Sequence, residues 1–304
     1  MKQHRFLSLF IAIATLAGIL AAAPTAEAAS KSFKLYYSLK FNQTVSGFDQ
    51  CGMMPMPIVY HGTLFSGGKL GPVPDYARLK NKAAPFVDAA AQSTTHHMVV
   101  LDVEGSWALL PTDSRAEMES KATDYYDLLH FLKGELKARR SAAKLGYFRV
   151  APPEFHQSPS AQGQPKKPYE EAVAALKRVG DQSDVLFPQL YAWGEAAMFR
   201  RYAAGTVATA RSNWPKKPVF PFLWMQYRTA WNAAAGRYDV ELLPKGGFGM
   251  QLQAVKDAGA DGAVIWGTLG NSQARLDWDR NADWWLETKA FLASQGADMS
   301  KCKL

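Results

Sequence analysis

Within Met98-Val99-Val100-Leu101-Asp102-Val103-Glu104, an apolar run ends in two carboxylates, Asp102 and Glu104, two residues apart. Side chains alternate across a strand, so both project from one face, about 7 Å apart along it. Neighbouring carboxylates resist ionising together. One keeps its proton near neutral pH and serves as a general acid, while the other stays charged. That division of labour suits cleavage of a glycosidic bond, where the leaving oxygen needs a proton and the sugar carbon gains positive charge. An ordinary strand end whose acidic groups cap a loop has the same spacing, so the surroundings decide.

Other apolar runs finish in groups of matching chemistry. Asp184-Val-Leu-Phe-Pro-Gln-Leu-Tyr191 ends in Gln189 and Tyr191, again two apart. Val219–Tyr227 delivers Trp224, Gln226 and Tyr227, Ala263-Val-Ile-Trp266 ends in a tryptophan, and Gly146-Tyr147-Phe148 supplies Tyr147. Aromatic faces stack on sugar rings, and tyrosine hydroxyls bond to sugar or acyl oxygens. Glu154, after Pro152-Pro153, offers a further carboxylate. Paired with it, a direct mechanism needs carboxyl groups about 5–5.5 Å apart for retention or about 6.5–9.5 Å for inversion.

These ends require elements that present them together. Strand-like runs cover Lys34–Phe41, Pro57–His61, Met98–Glu104, Lys144–Ala151, Asp184–Tyr191, Pro218–Tyr227 and Gly262–Gly267. Helical patterns lie between them, at Asp75–Gln92, Asp113–Arg139, Tyr169–Gly180, Glu195–Asn213, Gly246–Ala258 and Asn281–Ser294. The alternation predicts an α/β fold, a (β/α) TIM-like barrel of about seven to eight parallel strands, which carries catalytic groups at the C-terminal ends of its strands. Residues 1–28 read as an export signal: Lys2, His4 and Arg5, an apolar run from Phe6 to Leu20 too short to span a bilayer, then Ala26-Glu27-Ala28. Residues 29–304 then form a single domain, with Ser158–Pro168 as a loop on its rim.

The formal charge of +8 is scattered along the chain. It suits solubility or an acidic polysaccharide, and no nucleic-acid partner is expected. No other long apolar stretch follows the leader, so no stable membrane insertion is expected either. The two cysteines, Cys51 and Cys302, are expected to pair in an oxidising compartment, closing a loop worth about 4–5 kcal/mol by the chain-entropy argument. The six histidines show no HxxxH or HxH spacing, and neither a P-loop nor a Gly-rich nucleotide fingerprint occurs. Hence no metal and no cofactor are expected.

In order, the DxE strand, the Gly-Tyr-Phe strand ending in proline, Phe-Pro-Gln-Leu-Tyr, the aromatic-rich strand and Gly-Ala-Asp-Gly-Ala-Val-Ile-Trp-Gly resemble the hyaluronidases of glycoside hydrolase family 56. The likeness spans about Met98 to Gly267 and departs at Arg149-Val150-Ala151-Pro152, where the family has Tyr-Pro-x-Cys-Tyr-Asn. The resemblance implies a secreted or periplasmic endo-glycosidase with a polysaccharide substrate. It implies Glu104 as general acid, Asp102 as the carboxylate that orients the substrate's N-acetyl group, Tyr191 as its support and Trp266 as the subsite floor. A carbohydrate-binding barrel without turnover would keep the same aromatic cleft, and a two-carboxylate glycosidase on a different polysaccharide would use Glu154.

Overall fold

The run that carries the acidic pair folds as a buried strand in a mainly parallel α/β architecture. The computed structural model describes residues 32–66, 74–154, 166–192, 196–267 and 275–304, so the segment expected to be an export signal, 1–28, and most of Ser158–Pro168 lie outside the described residues. The strands are β1 (Lys34–Leu39), β2 (Met53–Pro55), β3 (Ile58–Tyr60), β4 (Met98–Asp102), β5 (Lys144–Tyr147), β6 (Gln189–Ala192), β7 (Phe222–Asn232), β8 (Arg237–Leu242) and β9 (Gly262–Gly267). One ladder runs β2-β1-β9-β7-β6 and a second runs β3-β4-β5. All these neighbours are parallel, and only β8 is antiparallel, folded back on β7.

The ladders are two separate sheets, linked at two places. Phe148 bridges to Phe187, and the Arg149 N–H donates to the Phe187 carbonyl at 2.9 Å. At the other place, one extended segment changes partner. The Met56 N–H donates to Tyr37 on β1 at 2.8 Å, whereas the Pro57 carbonyl accepts from Val100 on β4 at 3.0 Å. Proline has no N–H to give a ladder, so the change of partner falls where the chain lacks a donor. Ser32–Leu304 form one compact unit.

Period-two alternation decides which way each side chain of β4 faces. Met98 and Val100 belong to the interior cluster with Tyr36, Phe148 and Phe222. Val99, Leu101 and Val103 belong instead to a second cluster with Leu128, Leu129 and Leu132 of the helix Arg115–Ala138. By this alternation Asp102 and Glu104 face the interior mouth and the helix holds the back of the strand. That helix is fixed at its start by a capping box in which Ser114 and Glu117 each bind the other's backbone N–H. The N-cap is thus Ser114, one residue beyond Asp113, whose carboxylate takes the Lys121 ammonium at 2.7 Å.

Several elements differ from the sequence expectations: the strands expected over Lys144–Ala151 and Asp184–Tyr191 are shorter, Lys144–Tyr147 and Gln189–Ala192, and the helix expected over Tyr169–Gly180 is two, Lys166–Ala175 and Lys177–Gln182. The strand expected to stop at Tyr227 continues to Asn232 and returns as β8, through an Ala-Ala-Ala-Gly turn closed by Gly236 at φ +62°. The helix expected over Asp75–Gln92 is interrupted by a wide π-helical turn at Leu79–Ala83. Short β2 precedes β3 and had no separate signal. As expected, Cys51 and Cys302 form a disulfide across a sequence separation of 251. Among the described residues, no helix is long and apolar enough to cross a membrane.

Gly146 on β5 is set by close approach. A Cβ there would lie 2.0 Å from the Val185 carbonyl and 3.0 Å from the Phe187 ring. Backbone cannot yield as a flexible side chain does, so Gly146→Ala should lower unfolding free energy by at least about 2 kcal/mol. Denaturant melts would show it as a lower midpoint at unchanged slope.

Candidate active site

Strand β4 ends beside β3, with Tyr60 paired in register to Asp102. The two acids stand in unlike surroundings. Burial, with the Glu104 charge adding to it, pushes the Asp102 carboxyl up to about 7, against an opposing pull from Arg149. Glu104 is more open, its side chain 41% exposed, and it accepts from Arg149 Nη1 at 2.7 Å. One carboxyl therefore sits half-protonated near neutrality while its neighbour holds a guanidinium.

Arg149 follows β5 and has φ 54°, the left-handed region uncommon for a residue with a Cβ. Sequence reasoning missed it, because an isolated arginine reads as a solvated charge. Its other nitrogen, Nη2, lies 3.0 Å from Glu154 Oε2. The Glu154 side chain is fully buried, and the Gln189 amide donates to its second oxygen. Gln189 in turn accepts the Tyr202 hydroxyl on its backbone carbonyl at 3.1 Å. Burial disfavours the Arg149 charge, but Glu154 and Glu104 more than offset it.

Facing the acids is an aromatic wall. Tyr191 on β6 stacks on Trp266 of β9, ring centroids 5.7 Å apart and planes at 13°. Trp224 of β7 closes the group at 5.4 Å from Tyr191 and 6.2 Å from Trp266, and its indole N–H donates to Gln226 Oε1 at 3.0 Å. Burial, reinforced by Asp102, Glu104 and Glu154, drives the Tyr191 hydroxyl well above its ordinary range, so it stays a hydrogen-bond donor. Tyr60, 38% exposed, hydrogen-bonds Trp266 and is also pushed up by burial, then by the two acids. Its place near the end of the strand-like run Pro57–His61 is the signal that the sequence carries for it.

The structure thus brings Asp102, Glu104, Tyr191, Trp224 and Trp266 together, and adds Arg149 and Tyr60. It does not bring in the others. Tyr147 faces the helix layer, 2% exposed, and its hydroxyl donates to the Tyr125 carbonyl at 2.9 Å. Tyr125 donates to the Val103 carbonyl at 2.8 Å, so the two tyrosines brace the acidic strand from behind. Tyr227 sits on the β7–β8 hairpin with its hydroxyl 3.2 Å from Glu241. Gln189 spends its amide on Glu154. Glu154 itself, walled in behind Arg149, is a buried anchor and not a second carboxylate open to substrate. Among the described residues, no group of three or more His, Cys, Asp or Glu is placed to hold a metal.

A buried acid also marks stability. The unfolded chain releases the Asp102 proton near the ordinary carboxylate value, about 4, and the folded protein near 7. Between those values the folded state binds the extra proton, so the contribution is full below about pH 4 and lost above about pH 7. Asp102→Asn should remove that loss and stabilise the protein at pH 8 by on the order of 2–4 kcal/mol, with little change at pH 4. Denaturant melts at the two pH values measure it; an equal effect at both would contradict the assignment.

With the geometry in place, the likeness to solved structures has a meaning. Bee venom hyaluronidase superposes with a TM-score of 0.53 at 18% identity, over 88% of this chain and 99% of that one. Its complex with a hyaluronic acid tetramer gives a TM-score of 0.53 at 17% identity, over 88% of this chain and 97% of that one. The likeness is one of fold. It places the chain among TIM-barrel-like α/β proteins, the class expected from its sequence. No family model and no curated protein matches the chain.

Proposed function

We propose that the chain is an exported endo-glycosidase acting on an N-acetylated, anionic polysaccharide. The observation that carries this reading is the unequal acidic pair at a strand end, set against the Tyr191–Trp266 stack. In the proposed reaction the substrate's acetamido oxygen attacks the anomeric carbon as the glycosidic bond breaks. Glu104 gives its proton to the leaving oxygen, then takes one from the water that opens the cyclic intermediate. Asp102, charged at that stage, orients the acetamido N–H, and the Tyr191 hydroxyl steadies its oxygen. Trp266 and Trp224 floor the sugar subsite.

Further support comes from the charge of +8, which suits an anionic polymer, and from the disulfide, which suits an oxidising compartment reached through the 1–28 leader. The test is reducing-end release from hyaluronan, chondroitin, chitin oligomers and a neutral glucan. Cleavage of N-acetylated chains, fastest on the anionic ones, is the expected result. Cleavage of the neutral glucan alone would overturn the substrate class, and silence on every chain would overturn turnover itself.

A further inference from the structure

The contact between Arg149 and Glu104 is at odds with an acid that must carry a proton. A guanidinium 2.7 Å from a carboxylate favours the charged form of that carboxylate. Nor is the contact an accident of a loose surface side chain. Arg149 is three-quarters buried as a side chain, sits at left-handed φ, and has its second nitrogen on the fully buried Glu154. Glu154 is held by Gln189, and Gln189 is held by Tyr202. Asp102, by contrast, makes no ion pair among the described residues and lies beside Tyr60. The cation is built toward one member of the pair.

Resting on the reading of Glu104 as the acid, we propose that Arg149 is a positioning residue. Braced by Glu154 and Gln189, it holds Glu104 as the carboxylate in the free protein, so that the pair's proton rests on Asp102 until substrate displaces the guanidinium. The proton then crosses through a bridging water that is left unchanged: the O–H bond of Asp102 breaks as the water takes that proton, and an O–H bond of Glu104 forms as the water gives one up. Asp102 is left as the anion that the acetamido group requires. No other reactant enters. The free site is thus kept unready, and the substrate arms it.

Two variants that push in opposite directions test this. The Arg149 charge lowers the proton affinity of the pair and the Glu154 charge raises it. Arg149→Met should therefore move both limbs of the bell-shaped kcat/KM profile toward alkaline pH by about one unit. Glu154→Gln, which keeps shape and removes charge, should move both limbs toward acid. Arg149→Lys, which keeps the charge, should return the profile to near its original position. A site that is merely loosened would lose rate without these opposed shifts.

A second readout needs no turnover. The 13C carboxyl resonance of Asp102, identified by its loss in Asp102→Asn, should titrate at higher pH in Arg149→Met and at lower pH in Glu154→Gln. Those shifts without any hydrolysis would uphold the charge arrangement while sinking the glycosidase reading. Turnover with neither the profile nor the resonance moved would overturn the role of Arg149. If Glu154→Gln fails to fold, Arg149→Met and Arg149→Lys decide alone: equal profiles in both would overturn it.

Discussion

Glu104→Gln is expected to lower kcat by about 10²- to 10⁴-fold, the range that a general acid contributes. Glutamine keeps the length of the side chain, and its carbonyl oxygen still accepts from Arg149 Nη1, 2.7 Å away in the native site. The fold and the aromatic wall should be untouched, since Glu104 lies at the open mouth and not in the core. What disappears is the proton for the leaving oxygen, worth about 2.7–5.4 kcal/mol at the transition state. Binding should persist. Quenching of the fluorescence of Trp224 and Trp266 by oligosaccharide would report it, alongside initial rates. Loss of rate with retained binding is the expected pair of results. Equal rates in both proteins would remove Glu104 from the chemistry.

Removing the disulfide, as Cys51→Ala with Cys302→Ala, is expected to cost about 4–5 kcal/mol of unfolding free energy. The bridge spans a sequence separation of 251, so it restricts nearly the whole unfolded chain. It also ties the C-terminal turn Met299–Lys301 to the turn Asp49–Cys51. That tie sits just before β2, whose Met53 pairs with Leu35 near the start of β1, at the end of the strands remote from Asp102. In barrel-like folds this remote end serves stability, and the opposite end serves chemistry. The double variant should therefore melt earlier, yet turn over at the native rate wherever it remains folded. A fall in kcat at low temperature would place the bridge in the site's support instead.

Much of this arrangement was readable in the chain because it rests on period-two alternation. Asp102 and Glu104 share the parity of Met98 and Val100, and Tyr191 and Trp266 stand at the ends of their own buried strands, while Trp224 stands early in β7, level with Trp266. Tyr147 was misassigned against the same rule. Its register partner is Leu101, which faces the helix layer, so Tyr147 must face it too. Arg149 was out of reach for another reason. Its direction depends on a left-handed backbone at a residue with no glycine to announce it, and on a buried carboxylate five residues later. Glu154, after two prolines, reads as a further carboxylate at the mouth, whereas it is sealed by partners from β6 and the loop after β5. The β7–β8 hairpin was hidden by its turn, which is mostly alanine, a residue that marks helices more often than reversals.

The central claim is that the substrate's own acetamido group serves as the nucleophile for the Asp102–Glu104 pair. The most direct measurement compares initial reducing-end release from one N-acetylated polysaccharide with release from the same chain after de-N-acetylation. Cleavage that needs the acetyl groups, falling below detection on the deacetylated chain, is the result expected. Equal cleavage of both would contradict it, because the attacking atom would then have to come from the protein or from water.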